Sequence, residues 1–173
     1  KQNQLADFIP NFEKEEYKQT VDKMISYIVE GDIYIANMTQ QLEVKSRKDP
    51  YEVYRYLRTH NPAPFAGYFN YGDFKIASAS PERFLQIKDG MIETRPIKGT
   101  RKRGSTQEED AALKEELRNS SKDRSELLMI VDLERNDLNH VCEPGTVKVT
   151  DHFAVETYAT VFHLVTTIVG KMK

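Results

Sequence analysis

The sequence predicts an α+β fold, in which helices and antiparallel strands occupy separate stretches of the chain. Helical patterns open the chain, and a central block of short strand patterns with tight turns follows them. Further helical patterns then precede strand patterns rich in β-branched residues. We therefore expect antiparallel β-meander sheets with helices packed outside.

Composition is typical of a globular protein and excludes several other classes. The chain has 173 residues, 39% hydrophobic and 30% charged, and 25 basic against 27 acidic side chains give a net charge of −2. A dedicated nucleic-acid binder needs a basic excess. A membrane-spanning helix needs about 20 apolar residues, whereas the longest apolar run here is 127–131. We expect a cytoplasmic protein that contacts neither nucleic acid nor membrane, and the single Cys142 allows no internal disulfide.

The first third of the chain predicts two helices. Apolar residues recur at helical spacing over 17–28, and Gly31 stands just past the end of that pattern. Asp49 is a typical N-cap in front of Pro50, which suits a first helical turn. The prolines in 61–64 end this second helix, because proline removes a backbone donor.

The central block predicts short strands joined by tight turns. Strand patterns cover 65–71, 74–78, 84–88 and 91–95. Gly72-Asp73 and Asp89-Gly90 are the turns, and the second is a strong two-residue hairpin signal. The stretch 96–104, rich in glycine and positive charge, is interpreted as a loop.

The second half of the chain predicts two helices and then two strands. Thr106 opens a capping box, which predicts a helix over 107–117. A further helix is expected over 121–134, with a polar cluster of charged residues at its end. Strands are expected over 146–150 and 161–169, and alternation places His163 on one face of the second.

The basic stretch 95–104 and the turn before it carry the clearest candidates for chemistry. Lys98 lies between Ile97 and Gly99, where a lysine can act as a nucleophile or as a cation. The alternatives are a solvated basic turn or an RNA-binding loop. Glu82 is either a surface ion pair with Arg83 or a general acid, since a meander brings positions about 15 residues apart together.

Two other positions have both a structural and a functional interpretation. Asp123 and Glu126 share one helical face, where they either cap the helix or ligate Mg²⁺, which takes few carboxylates. His163 lies in an apolar strand and is either a satisfied core histidine or a site residue.

Taken together, several motifs resemble the chorismate-utilising enzymes over roughly residues 13–173. They are Gly31–Tyr34 with Asn37, Ser80–Phe84, Glu93–Thr100, Glu126–Leu133 with Arg135–Asp137, and Val161–Leu164 with Gly170. Long motifs in one consistent order make a resemblance specific, unlike a single short pattern. The resemblance implies the fold of that family.

The resemblance also implies roles for five residues. Lysine at position 98 resembles the branch that forms 4-amino-4-deoxychorismate from chorismate and ammonia, on the route to 4-aminobenzoate and folate. Lys98 would attack ring C2 and Glu82 would protonate the departing C4 hydroxyl. Glu126 would help bind Mg²⁺, which holds a substrate carboxylate, and His163 and Thr100 would contact the substrate. A glutamine amidotransferase subunit would supply the ammonia.

Two departures from the family pattern bear on this expectation. Ile35 stands where relatives usually carry glutamine, and an apolar side chain cannot orient water or ammonia. The family continues with further metal and carboxylate ligands that these residues do not include. We therefore expect residues 1–173 to be the N-terminal portion of one catalytic domain, inactive alone. Anthranilate-forming or isochorismate-type relatives and a non-catalytic, partner-binding remnant stay open as alternatives.

Overall fold

A computed structural model describes residues 7–173, which divide into two compact units with a boundary between Lys48 and Asp49. The first unit contains β1 (Ile9–Pro10), α1 (Lys14–Glu30) and β2 (Leu42–Glu43). Strands β1 and β2 pair antiparallel. Helix α1 ends at Gly31, whose φ of 84° is left-handed and suits glycine.

The second unit contains the longer elements. They are α2 (Pro50–His60), β3 (Phe65–Asn70), β4 (Lys75–Ser80), β5 (Arg83–Lys88), β6 (Met91–Arg95), β7 (Ile97–Lys102), α3 (Gln107–Asn119), α4 (Ser121–Val141), β8 (Lys148–Thr157) and β9 (Val161–Lys171). No helix within 7–173 is long and apolar enough to cross a membrane. The prediction that the two units form one incomplete catalytic domain stays a prediction.

Strand β9 organises the main antiparallel sheet. Along one edge, β6 pairs with residues 168–171 of β9 and β7 pairs with residues 161–165. Strand β8 pairs with residues 162–169, and β5 extends the sheet as the hairpin partner of β6. Strands β6 and β7 therefore follow one another along the same side of β9, and β3 with β4 forms a separate hairpin.

The core of the second unit lies between this sheet and helices α3 and α4. Its largest fully buried apolar side chains are Leu117, Leu127, Val131, Phe162, Leu164 and Ile168. Burial of each such leucine contributes about 1.5–3 kcal/mol of hydrophobic stabilisation. The α+β class, the antiparallel sheets and the outer helices are as predicted.

The helix starts follow the predicted caps. The Asp49 carboxylate accepts hydrogen bonds from the N–H groups of Tyr51 at 2.9 Å and Glu52 at 3.3 Å. The Thr106 hydroxyl accepts one from the N–H of Glu109 at 3.2 Å. These contacts satisfy donors that the first helical turn leaves free.

Three predicted boundaries are wrong. The strand expected over 146–150 instead runs as β8 from Lys148 to Thr157. The stretch 96–104 is not a loop, because residues 97–102 form β7 by pairing with β9, which lies 59–68 residues further along the chain. Helix α4 does not end at 134 but continues to Val141, since Leu138 faces the core and is only 5% exposed. The polar cluster near 134 therefore lies within the helix.

Candidate active site

The turn between β4 and β5 presents Glu82 to the start of β7. The Glu82 Oε1 accepts a hydrogen bond from the backbone N–H of Ile97 at 2.8 Å. The N–H of Glu82 in turn donates to the Ser80 hydroxyl at 3.3 Å. The carboxyl group therefore lies against the residue that precedes Lys98, as the meander argument predicts.

Arg83 anchors the same turn to the sheet. Its guanidinium forms an ion pair with Glu93 on β6 and hydrogen-bonds Gln86 at 3.1 Å. The guanidinium also lies 5.0 Å from the centre of the Phe65 ring, within cation–π range. Arg83 thus pairs with Glu93 rather than with its neighbour Glu82, and the surface ion-pair interpretation of Glu82 is wrong.

A bulge positions Lys98 in β7. The register with β9 shifts between Ile97 and Thr100, and Gly99 adopts a φ of 82°. A Cβ at Gly99 would lie 2.8 Å from the Asp123 side chain and 2.9 Å from Leu117 Cδ1. Helices α3 and α4 therefore pack directly against the backbone that carries Lys98.

The arginines beyond Lys98 are already paired with carboxylates. Arg101 binds Glu116 at 2.7 Å and Asp123 at 3.1 Å, and the hydrogen bond to Glu116 raises the pKa of Arg101. Arg103 binds Asp110 through two contacts of 2.6 and 2.7 Å, which raise the pKa of Arg103. The interpretation of a solvated basic turn is therefore wrong for both arginines, and their charge is largely compensated.

His163 and Thr100 face each other across β9 and β7. Thr100 Oγ1 lies 2.9 Å from His163 Nδ1, and His163 is only 8% exposed. Burial lowers the pKa of His163, while the nearby carboxylates of Glu156 and Glu82 oppose that shift. The imidazole is therefore held mainly neutral at pH 7.

Tyr158 and Glu156 complete the surroundings of His163. The Tyr158 ring centre lies 5.4 Å from the imidazole centre, and the Tyr158 hydroxyl donates to Glu156 at 2.5 Å. Burial and this hydrogen bond raise the pKa of Tyr158 to about 12. His163 also lines a cavity of about 240 Å³ with Tyr158, Ala79 and Pro81, so it is both buried and accessible to a small ligand.

The structure separates the roles of Asp123 and Glu126. The N–H of Asp123 donates to the Ser120 hydroxyl at 3.3 Å, and the Asp123 carboxylate is engaged by Arg101. The Glu126 side chain is 49% exposed, with Lys122 Nζ 4.0 Å away. Within 7–173, the structure contains no group of three or more His, Cys, Asp or Glu side chains suited to a metal ion.

In the sequence, Glu134 belongs to a polar cluster that is more typical of an ion-paired helix end than of a second metal site, so Glu134 is not among the predicted site residues. The Thr94 hydroxyl donates to Glu134 Oε2 at 3.0 Å, although Thr94 lies 40 residues earlier on β6. Burial raises the pKa of Glu134, as do the charges of Glu82 and Asp137, whereas Thr94 and Lys98 lower it. No local pattern reveals this carboxyl group, because only the packing of α4 on β6 brings it to the site.

Glu82 and Glu134 line one cavity of about 320 Å³, which we name the Glu82 pocket. Its lining residues are Ser80, Glu82, Arg83, Phe84 and Glu134. Acidic groups, a lysine and a buried histidine grouped around the junction of β6 and β7 are typical of an enzyme active site.

The chain belongs to the chorismate binding enzyme family, whose model matches residues 1–173. It is 49% identical over 157 residues to the aminodeoxychorismate synthase of Streptomyces pristinaespiralis, covering 90% of this chain and 22% of that protein. It is 39% identical over 173 residues to the anthranilate synthase component 1 of Aquifex aeolicus (strain VF5), covering 100% of this chain and 35% of that protein.

The fold matches that of a solved relative. The crystal structure of anthranilate synthase component I from Streptococcus pneumoniae TIGR4 superposes with a TM-score of 0.86 at 31% identity. The match covers 97% of this chain and 37% of that chain. The chain thus spans 22–37% of the length of these relatives.

Proposed function

We propose that the chain forms part of an aminodeoxychorismate synthase component I, which converts chorismate and ammonia to 4-amino-4-deoxychorismate. The observation that carries the proposal is the hydrogen bond between Glu82 and the N–H of Ile97, next to Lys98. An acid and an amine held at the junction of β6 and β7 suit a reaction in which an amine attacks as a hydroxyl leaves. The product is on the route to 4-aminobenzoate and folate.

Lys98 acts as the nucleophile in this proposal. Its Nζ forms a bond to ring C2 while the C4–O bond breaks, and Glu82 gives its proton to the departing hydroxyl, which leaves as water. Ammonia then forms a bond to C4, the C2–Nζ bond breaks, and Lys98 is released as the free amine. Glu82 is left as a carboxylate and must regain a proton before the next cycle.

The hydrogen bonding of Glu82 suits a general acid. Hydroxide is a poor leaving group, so its departure requires a proton. One Glu82 oxygen is occupied by the Ile97 N–H, which leaves the other oxygen to carry the proton. Because the acid is held on the backbone that precedes Lys98, the two groups need little reorganisation to act together.

Glu126 is the residue we propose as a Mg²⁺ ligand. Mg²⁺ usually keeps several waters and binds only one or two protein carboxylates. A partly exposed Glu126 fits this preference, and residues 7–173 contain no larger group of metal-binding side chains. When bound, Mg²⁺ would compensate the negative charge of the substrate. His163 and Thr100 are proposed to contact the substrate from β9 and β7.

The proposal includes a partner and a compartment. A glutamine amidotransferase component would supply the ammonia, and the protein would work in the cytoplasm. Ile35 belongs to the first unit, and its expected effect on the approach of water or ammonia stays a prediction.

An anthranilate synthase component I is the second candidate. The relative from Aquifex aeolicus and the solved structure from Streptococcus pneumoniae favour it, since both carry that name. The two candidates differ in where the nitrogen is attached to the ring, so the product distinguishes them.

The test is product analysis with the full-length protein. Chorismate, an ammonium salt and Mg²⁺ are supplied, and the products are identified by mass and fluorescence. We expect 4-amino-4-deoxychorismate. Anthranilate as the main product would replace the proposal with the second candidate, and failure to bind chorismate with Mg²⁺ would favour a non-catalytic role.

A further inference from the structure

Glu134 is a half-buried carboxyl group that the proposed mechanism does not use. It lines the Glu82 pocket together with Glu82, yet it belongs to α4, an element remote in sequence from the turn that carries the acid. Within 7–173, no cation forms an ion pair with it. Such a group is well suited to exchange a proton with its surroundings.

The groups around Glu134 balance its acid and carboxylate forms. The apolar side chains Phe84, Ile92 and Leu138 line a neighbouring cavity that Glu134 also borders, and they favour the neutral acid. Thr94 is only 3% exposed, and its hydroxyl donates a hydrogen bond to Glu134 Oε2 at 3.0 Å. This hydrogen bond favours the carboxylate form instead.

Charged groups face Glu134 from several elements. The negative charges come from Glu82 on the β4–β5 turn and Asp137 on α4, and they favour the acid form. The positive charge of Lys98 on β7 favours the carboxylate. Arg83 also lines the Glu82 pocket, but its guanidinium is engaged by Glu93. Glu134 therefore holds a proton more readily than an ordinary exposed glutamate does.

We propose that Glu134 is a proton relay for Glu82, which rests on the proposed function. Once Glu82 has protonated the leaving hydroxyl, the acid form of Glu134 gives its proton to the Glu82 carboxylate. Glu134 then takes a proton from solvent at the mouth of the pocket. The amino group added at C4 stays on the product as an ammonium group. Chorismate, ammonia and one solvent proton therefore give the protonated product and water.

The size of the pocket allows this transfer. A water molecule occupies about 30 Å³, so the cavity of about 320 Å³ that both carboxyl groups line has room for several waters. Glu134 is a positioning residue rather than a catalytic residue, because it acts on the substrate only through Glu82.

The test compares Glu134→Gln with the wild type in the full-length protein. Glutamine keeps an oxygen for the Thr94 hydroxyl but carries no exchangeable acid proton. We expect kcat to fall by about 10- to 100-fold, a smaller loss than removal of a general acid itself. The KM for chorismate should be nearly unchanged. Added acetate or formate should restore kcat in proportion to its concentration, which a purely structural role would not produce.

Asp132→Asn is the matched control. Asp132 lies on the same helix and its exposed carboxylate binds Arg135 at 3.2 Å. This variant should keep the wild-type kcat and show no response to acetate. Glu134→Met serves as a second variant of similar length, and it too should be rescued by acetate.

Each result decides the proposal. An unchanged kcat in Glu134→Gln, or a loss that acetate does not restore in either variant, would overturn the relay while wild-type turnover leaves the proposed function intact. A wild-type protein that forms no aminated product would overturn both. If the product is anthranilate, the comparison of kcat between Glu134→Gln and wild type still tests the relay, because Glu82 would protonate the departing hydroxyl in that reaction too.

Discussion

The Glu82 carboxylate accepts a hydrogen bond from the backbone N–H of Ile97 at 2.8 Å. This contact joins the β4–β5 turn to the first residue of β7 and holds an acid beside Lys98. The contact is therefore the structural basis of the chemistry that we propose.

Replacing Glu82 by glutamine should remove the acid while keeping the hydrogen bond to Ile97. We expect kcat to fall by about 10²- to 10⁴-fold, the usual contribution of a general acid, with little change in the KM for chorismate. Steady-state kinetics of the full-length protein measure both. Asp89→Asn, in an exposed hairpin turn, is the control and should be fully active. A Glu82→Gln variant within a factor of about two of wild type would rule out the acid role.

Replacing Gly99 by alanine should displace Lys98, and Gly90 offers a matched comparison. The two glycines have similar φ values of 82° and 75°, but only Gly99 has atoms within 4 Å of an added Cβ. Alanine at Gly90 should cost about 1–2 kcal/mol of stability from the left-handed backbone alone. At Gly99 a further 1–3 kcal/mol or so is expected from overpacking against α3 and α4.

Chemical denaturation measures the difference between the two glycine variants. The activity of Gly99→Ala should fall more than its stability explains, because the bulge positions Lys98. Equal losses of stability in Gly99→Ala and Gly90→Ala would show that α3 and α4 do not pack tightly against β7.

The sequence predicts those parts of the fold that local chemistry decides. Asp49 and Thr106 mark helix starts because their side chains satisfy free N–H groups of the next turn. Asp89 and Gly90 mark a hairpin for a similarly local reason, since both adopt positive φ. The pairing of β7 with β9 cannot be predicted from local sequence, because the paired residues lie 59–68 positions apart.

The site could be predicted only in part for the same reason. Glu82 and Lys98 stand in one meander, so their proximity follows from short-range pairing. Glu134 depends on α4 packing over Thr94, and a glutamate inside a helix with charged neighbours carries no signal of burial. The basic composition of 95–104 suggests a solvated turn, whereas Arg101 and Arg103 bind carboxylates on α3 and α4.

Stability should depend on pH through His163. Burial lowers its pKa in the folded state below the ordinary value of 6.5. Below that value the unfolded chain binds protons more readily, so stability should fall as the pH drops from about 6.5 through the lowered pKa. His163→Asn should make the free energy of unfolding less dependent on pH in this range. His140→Gln, at an exposed position, should leave that pH dependence unchanged. If the free energy of unfolding changes by the same amount in His163→Asn and wild type between pH 7 and 5, His163 does not cause the pH dependence.

Stability should respond in the opposite sense to Glu134. Its pKa is raised in the folded state, chiefly by burial, so its contribution is present at acidic pH and is lost as the pH rises through the raised pKa. Glu134→Gln should therefore raise the thermal midpoint at pH 7–8, and this gain should disappear towards pH 4. A lower midpoint at neutral pH would show that the carboxylate stabilises the fold. A variant that is slower but more stable would separate the relay from a structural role.

The most direct test of the whole account is the rate of product formation by Lys98→Ala in the full-length protein, supplied with chorismate, ammonium and Mg²⁺. Lys102→Ala removes an exposed lysine from the same strand and is the matched control. The account predicts that Lys98→Ala forms no detectable 4-amino-4-deoxychorismate while Lys102→Ala keeps the wild-type rate. Wild-type turnover by Lys98→Ala would contradict the role of Lys98 as the nucleophile.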